Sequence, residues 1–148
     1  MPYYCFGLKD DFFLITMLYN ETNPARCSEY IECIEQNMHH PLIKGIHILY
    51  DTSKDDQKNT LFAYLLKKNI TIELIKSRAT YANCFDIANK YYSGSNIIVC
   101  NADIYFNNTL NKLIGYPLEN TFLALSRWDV QKDGSLKIQY GSNGKPLY

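Results

Sequence analysis

The stretch that decides the fold runs from Asn96 to Phe106 and reads NIIVCNADIYF. Its first half is an apolar run typical of a buried strand, and the run stops abruptly at Asn101 and Asp103. Residues two apart on an extended strand point to the same side, so both polar side chains are expected to reach into one cleft, with Ala102 leaving room between them. Carboxylate and amide oxygens suit Mg²⁺ or Mn²⁺, ions that are commonly bound together with phosphates. The simpler interpretation, that the pair only turns the chain after a core strand, stays open at this point.

The composition is that of one globular domain without a nucleic-acid footprint. The chain has 148 residues and is 47% hydrophobic, which is enough for a single domain with a substantial core. Its 15 basic residues balance 15 acidic residues without a basic cluster, so no nucleic-acid partner is expected. The five cysteines form no Cys-x-x-Cys pair, which indicates reduced packing residues rather than disulfides or a zinc site.

Neither a secretory leader nor a membrane span is predicted. The first residues, MPYYCFG, lack the basic end and the long apolar segment of a signal peptide. The apolar run from Phe12 to Tyr19 is too short to cross a bilayer. These features predict a soluble protein of the cytoplasm, which is the host cytoplasm if the chain is viral.

Short apolar runs alternate with helical patterns along the chain. Strands are predicted at residues 12–19, 43–50 and 71–75, from residue 96 onwards, and at 122–126. Helices are predicted between them: after an Asn23 cap with Pro24 in the first turn, at roughly 56–68, after a Thr80 cap, and near 108–115. The side chains expected to face inward are Leu61, Leu65 and Leu66 in the second helix, and Tyr81, Cys84, Phe85, Ala88 and Tyr92 in the third.

This alternation predicts an open, mostly parallel, Rossmann-like α/β sheet with helices on both faces. Ligands of such sheets bind at the carboxyl ends of the strands, near the point where the strand order reverses. Neither a G-x-G-x-x-G nor a G-x-x-x-x-G-K motif occurs, which speaks against dinucleotide or P-loop binding. The polar residues expected on this rim instead suit a metal-bound nucleoside diphosphate. They are Asn20, Glu21, Asp51, Ser77, Arg78, Asn101 and Asp103.

The strand-end motifs, taken in order, resemble a known family. Tyr19-Asn20-Glu21 after the first strand, Asp51 after the second and Asn101-Ala102-Asp103 after the fourth are similar to the nucleotide-sugar half of GT-A type glycosyltransferases. The family signature is Asp-x-Asp, and its first position here is Asn101. The resemblance covers roughly Phe12 to Asp129.

Two further segments are similar to a branch of that family which includes glycosyltransferase domains of large DNA viruses. The first is Arg78-Ala79-Thr80-Tyr81 with the later Phe85, Ala88 and Asn89. The second is Ala124-Leu125-Ser126-Arg127-Trp128.

The resemblance implies transfer of a sugar from a nucleotide-diphosphate sugar, with a UDP-sugar favoured, to a hydroxyl of an unknown glycan or protein acceptor. Asp103 would hold Mn²⁺ or Mg²⁺ across the diphosphate, and Asn101 would contact the ion through water or the donor's ribose. Arg78 would contact the base or the phosphates. The remaining residues implied to bind the nucleotide sugar are Tyr19, Asn20, Glu21, Asp51 and Ala102. A turn residue at Asp51 and a solvated loop cation at Arg78 are the simpler interpretations.

The whole chain, residues 1–148, is predicted to be one GT-A-like domain. Its acceptor half is expected to be abbreviated after about residue 130. An inverting transferase needs a carboxylate base opposite the leaving group, and Asp129, just past the predicted fifth strand, is the candidate. A surface residue at the start of a loop is the simpler interpretation of Asp129. Leu136 to Tyr140 is expected to form one more strand. Efficient transfer is therefore expected to need further sequence, a partner subunit or a homo-oligomer.

Two other functional classes remain open. A truncated module that binds a nucleotide sugar without transferring it is favoured by the short acceptor half and by Asn101. A nucleotidyltransferase shares the strand order and the metal carboxylates. It normally begins with a loop rich in glycine and basic residues, and the segment from Tyr19 to Arg26 contains no glycine.

Overall fold

A computed structural model describes residues 10–54 and 60–146, and its centre is one four-stranded parallel sheet. The strands are β1 (Phe12–Tyr19), β2 (Ile43–Asp51), β3 (Thr71–Ile75) and β4 (Asn96–Val99). The helices are α1 (Pro24–His39), α2 (Thr60–Leu65) and α3 (Tyr81–Tyr91), and a 3-10 helix (Asn108–Leu113) follows β4. A short antiparallel pair comes last, formed by β5 (Asp129–Val130) and β6 (Leu136–Lys137).

The strands lie in the order β3-β2-β1-β4, so the chain winds outward from β1 on one side and then returns to its other side. β1 pairs in parallel with both neighbours, with Tyr19 aligned to Asp51 and Ile15 to Val99. The strand order therefore reverses between β1 and β4. In open parallel sheets this is where a crevice forms at the carboxyl ends of the strands.

Helices cover both faces of the sheet, as the alternating pattern predicts. Leu49 of β2 shares a buried cluster with Cys84 and Ile87 of α3. The next residue, Tyr50, points to the opposite face, where its ring lies 4.9 Å from the ring of Phe62 in α2. α1 packs beside α2 and against β2. The Rossmann-like α/β class is thus confirmed at the level of the sheet and its flanking helices.

Side-chain caps fix where α1 and α3 begin. The Asn23 side chain accepts a hydrogen bond of 2.9 Å from the Ala25 N–H, and Pro24 occupies the first helical position. Thr80 and Asn83 form a reciprocal capping box at α3. Both caps were predicted. The Asn23 cap places the first turn of α1 directly after β1, and therefore at the crevice.

Some predicted packing is wrong because helix ends and faces depend on tertiary context. Leu66, predicted to face inward, is 63% exposed, since α2 ends one residue before it. Tyr81 and Phe85, predicted in the buried stripe of α3, are exposed, because the buried side of this helix is formed by Cys84 and Ile87. The predicted start of α2 near Asp56 lies outside the described residues.

The predicted fifth strand at 122–126 is wrong. Residues 121–128 have no regular secondary structure, and Phe122 is 82% exposed. The strand predicted from Leu136 to Tyr140 is shorter, because only Leu136–Lys137 pairs with β5.

The chain divides into two compact units, one ending at Tyr116 and the other beginning at Pro117. No residue in the described part of the second unit, 117–146, is buried. Its regular structure consists of the β5–β6 pair and a bridge between Tyr140 and Pro146. Every helix within the described ranges is too short or too polar to cross a bilayer.

Asn37 of α1 is buried and secures the segment that follows the turn after β4. Its side chain donates to the Ile104 carbonyl and accepts from the Phe106 N–H, both at 2.9 Å. Asn37→Ala is expected to lower the free energy of unfolding by about 2–4 kcal/mol, because both backbone groups lose their partner. Denaturant titration followed by circular dichroism measures the change. Gln36→Ala, on the exposed side of the same helix, is the control, and equal effects of the two variants would contradict the assignment.

Candidate functional site

A chain of polar contacts joins the carboxyl end of β1 to the turn that follows β4. The Tyr19 hydroxyl donates to Glu21 Oε2 at 2.9 Å and lies 3.3 Å from the Tyr30 hydroxyl. Arg26 Nη2 donates to the Tyr30 hydroxyl and to Asp103 Oδ2, each at 3.2 Å. We call these five residues the rim network.

The start of α1 positions the middle of the rim network. Arg26 and Tyr30 are one turn apart, so they lie on the same helix face, and the Arg26 guanidinium lies 5.0 Å from the centre of the Tyr30 ring. Glu21 Oε1 accepts from the N–H of Asn23, the cap of this helix, at 2.8 Å. The network is thus tied to the point where β1 passes into α1.

Hydrogen bonding shifts the pKa values of three residues of the rim network, Glu21, Tyr19 and Arg26. The pKa of Glu21 is lowered, chiefly by the Asn23 N–H and the Tyr19 hydroxyl that it accepts. The pKa of Tyr19 is raised by its hydrogen bonds to Tyr30 and Glu21. The pKa of Arg26 is raised, first by its bond to Tyr30 and then by Asp103, against the opposing effect of burial. At neutral pH Glu21 is therefore an ionised carboxylate, Tyr19 a neutral phenol and Arg26 a guanidinium cation.

Asp103 has bonding capacity that the protein does not use. Its Oδ2 pairs with Arg26, whereas Oδ1 is buried and has no hydrogen-bond partner among the described residues. A buried carboxylate oxygen without a donor is unfavourable, and a cation or a ligand donor would satisfy it. The side chain as a whole is 25% exposed, through atoms other than Oδ1.

The backbone around Asn101 differs from the expected extension of the strand. The Ile104 N–H donates to the Asn101 carbonyl at 3.3 Å, which makes a turn of this segment. The buried Thr16 hydroxyl donates to the Cys100 carbonyl at 2.8 Å, at the point where the chain leaves the sheet. The prediction that the chain is an extended strand from Asn101 to Asp103 is therefore wrong. Asn101 is exposed and the intervening Ala102 is buried.

Asn20 and Asp51 follow β1 and β2, and both hold loop structure. Asn20 accepts from the Tyr50 hydroxyl and donates to the Lys54 carbonyl, both at 2.7 Å. Asp51 accepts from the Ser53 N–H at 2.8 Å, the contact of an Asx turn. Their roles in nucleotide binding stay predictions.

Arg78 follows the edge strand β3 and is exposed. Two strands, β2 and β1, separate β3 from β4. The cation that the fold does bring to Asp103 is Arg26.

Asp129 lies in the second unit, where it begins β5 rather than following an earlier strand. Gln139 donates to its Oδ2, and Arg127 Nε lies 3.8 Å from its Oδ1. The carboxylate is thus held by two neighbours, and its role as a base stays a prediction.

Among the described residues, no group of three or more His, Cys, Asp or Glu side chains could hold a metal ion. Cys33, Cys84 and Cys100 are buried free thiols, as expected for packing residues. Burial raises the pKa of Cys100 to about 12. A cation at Asp103 would therefore depend on ligand oxygens and water for most of its coordination.

Sequence reasoning missed Arg26 and Tyr30. One signal for Arg26 was present, because a cation in the first turn of a helix is disfavoured by the helix dipole and calls for an acidic partner. Glu29, three positions further along the helix, is a local acidic partner, whereas the second partner, Asp103, lies 77 positions away, which no local pattern reveals.

Comparisons with protein-family models, with curated proteins and with solved structures gave no match. The geometry of this chain, with the strand-end motifs, is therefore the basis for its functional interpretation.

The ion pair between Arg26 and Asp103 can be measured with a double-mutant cycle. Arg26→Met, Asp103→Asn and the double variant are expected to give a coupling energy of about 0.5–1 kcal/mol in denaturant titrations, because the pair is partly exposed. A parallel cycle on Lys44 and Asp11, whose charged atoms are 3.7 Å apart, is expected to give less. No coupling between Arg26 and Asp103 would contradict the rim network.

Proposed function

We propose that this chain binds a nucleotide-diphosphate sugar at the carboxyl ends of β1 and β4 and transfers the sugar to a hydroxyl acceptor, as a GT-A type glycosyltransferase. One observation carries the proposal: Asp103 presents a buried oxygen without a partner among the described residues, beside the Arg26 cation, where the strand order reverses. The strand-end motifs that resemble this family are the second support. A UDP-sugar is the favoured donor.

The rim network offers both signs of charge that a metal-bound diphosphate needs. Asp103 would hold Mn²⁺ or Mg²⁺. A single protein carboxylate fits such an ion, because Mg²⁺ is commonly bound by one or two carboxylates together with substrate phosphates and water. When bound, the ion would stabilise the negative charge that develops on the leaving diphosphate. Arg26 would turn from Asp103 to a phosphate oxygen, for which its planar guanidinium is suited.

The end of β1 would hold the nucleoside. Tyr19 is 46% exposed, so its ring can stack on a base. Glu21 is ionised and beside it, and can accept hydrogen bonds from ribose hydroxyls. Asp51 ends the neighbouring strand and would extend this surface.

A second candidate, a module that binds the donor without efficient transfer, is favoured by the second unit. No residue in 117–146 is buried, and its two strands have two residues each. An acceptor must be gripped and deprotonated by rigidly held groups, and such a unit supplies little rigidity. A partner subunit or a second copy of the chain would complete the acceptor site.

Donor binding is tested by calorimetric titration of UDP and UDP-sugars with and without Mn²⁺. Binding is expected to require Mn²⁺ in the unmodified chain. Asp103→Ala is expected to remove this dependence, and Asn101→Asp to strengthen metal binding, because it adds a second carboxylate. Asp133→Ala, in an exposed turn of the second unit, is the control. No binding at millimolar nucleotide, or unchanged Mn²⁺ dependence in Asp103→Ala, would refute the site.

Transfer is tested separately by mass spectrometry of reactions with glycan and peptide acceptors. Slow donor hydrolysis is expected from the chain alone, because water needs no binding surface of its own. Asp129→Asn is expected to abolish any transfer while leaving donor affinity unchanged. Turnover near ~10 s⁻¹ by both the unmodified chain and Asp129→Asn would contradict the incomplete acceptor site and the assigned base.

A further inference from the structure

His47 lies in the middle of β2 and lines a cavity of about 430 Å³ away from the rim network. It is two residues before Leu49 and therefore points to the same face of the sheet, the face covered by α3. The cavity is completed by residues at the start of β3 and at the end of α3, which are Thr71, Ile72, Glu73, Tyr91 and Tyr92. Only 3% of His47 is exposed.

One nitrogen of this buried imidazole is used and the other is not. Nδ1 lies 3.0 Å from the Tyr92 hydroxyl. Nε2 is shielded from solvent and has no hydrogen-bond partner among the described residues. The nearest charged atom is Glu73 Oε2, at 3.5 Å, which is longer than an ordinary N–H···O hydrogen bond. The two side chains thus face each other across a long ion-pair contact, and an ion that both of them ligate would replace this contact.

We propose that His47 Nε2 and the Glu73 carboxylate bind one divalent transition-metal ion of the zinc type. Metal–ligand bonds of about 2.0–2.2 Å to two atoms 3.5 Å apart enclose an angle of about 105–120°, close to the tetrahedral value. The cavity leaves room for water at the remaining coordination positions, and Glu73, which is 40% exposed, gives access.

The surroundings of His47 favour metal ligation. Burial lowers its pKa, against a smaller opposing effect of Glu73, so the imidazole is neutral at neutral pH, the form that binds metals. Ligation uses the tautomer in which Nδ1–H donates to the Tyr92 hydroxyl, because the lone pair of Nε2 then faces Glu73, and such a partner also orients a ligating ring. Further titratable groups near His47 are Tyr91, whose ring centre lies 5.7 Å from that of His47, and Lys90, which lies over the Tyr91 ring.

The site differs in chemistry from the proposed metal position at Asp103. Imidazole nitrogen suits Zn²⁺, Co²⁺ or Ni²⁺, whereas carboxylate and phosphate oxygens suit Mg²⁺ and Mn²⁺. The two positions can therefore be tested independently. Loss of one by substitution is expected to leave the other unchanged.

The test is calorimetric titration of the full chain, without a polyhistidine tag, with Zn²⁺, and absorption spectroscopy with Co²⁺. One ion per chain is expected, with a Co²⁺ visible spectrum changed from that of the fully hydrated ion. His47→Ala and Glu73→Gln are each expected to weaken binding by roughly tenfold or more, and Tyr92→Phe to weaken it less than either. His39→Ala removes an exposed histidine and is expected to leave the affinity unchanged, as is Asp103→Ala.

Three results would overturn the proposal: no binding at millimolar Zn²⁺, unchanged affinity in Glu73→Gln, or a thiolate-to-cobalt charge-transfer band showing that cysteines hold the ion. Glu73→Gln keeps the test decisive if His47→Ala unfolds, because the Glu73 side chain is partly exposed and its replacement has nearly the same shape. UDP titration of the same variants separates this site from the proposed donor site.

Discussion

The parallel pairing of β1 with a neighbour on each side is the constraint on which this structure depends. A strand in this position has its backbone hydrogen bonds satisfied laterally and both faces covered, so its side chains must be apolar or fully bonded. β1 meets the requirement with one buried polar residue, Thr16, whose hydroxyl bonds to the Cys100 carbonyl across 84 positions. That bond holds the two chain segments together where the strand order reverses. The polar rim begins where β1 reaches solvent at Tyr19.

The elements that the sequence predicts well are those whose causes are local. The bounds of β1 and β3 follow from apolar runs between turn residues, and the starts of α1 and α3 follow from the Asn23 and Thr80 caps. The segment at 122–126 has the same apolar character and forms no strand. A strand exists only if another strand pairs with it, and no feature within those five residues specifies a partner.

The buried face of α3 shows that local sequence also fails to specify how a helix packs. Its sequence has aromatic residues on one side and small apolar residues beside them, and either set is compatible with burial. The sheet accepts Cys84 and Ile87, which pack between Ile15 and Leu49, and leaves Phe85 exposed. Which side faces the sheet is decided by the shape of the strands beneath the helix.

The residues of the candidate site likewise divide into those that the sequence predicts and those that depend on tertiary structure. Glu21 and Asp103 were predicted from a topological rule, because strand ends are visible in sequence and their common edge follows from parallel order, whereas Tyr19 was predicted from the family resemblance. Arg26 and Tyr30 were missed because they enter the rim from a helix. The rule also assumed an extended backbone after β4, and the turn at Asn101 could not be read from residues that are compatible with both conformations.

Two buried polar atoms lack hydrogen-bond partners in the described part of the chain, Asp103 Oδ1 and His47 Nε2. Each such atom costs about 1–3 kcal/mol, a considerable share of the 5–15 kcal/mol by which a domain of this size is usually stable. A polar group kept at a cost to stability is better explained by a ligand that satisfies it than by packing. The same reasoning applies to Asp103, whose other oxygen is already paired. The sheet therefore places two unsatisfied polar atoms at separate positions, one at its carboxyl rim and one on its α3 face, and the two proposed cations, of different chemical types, would satisfy them.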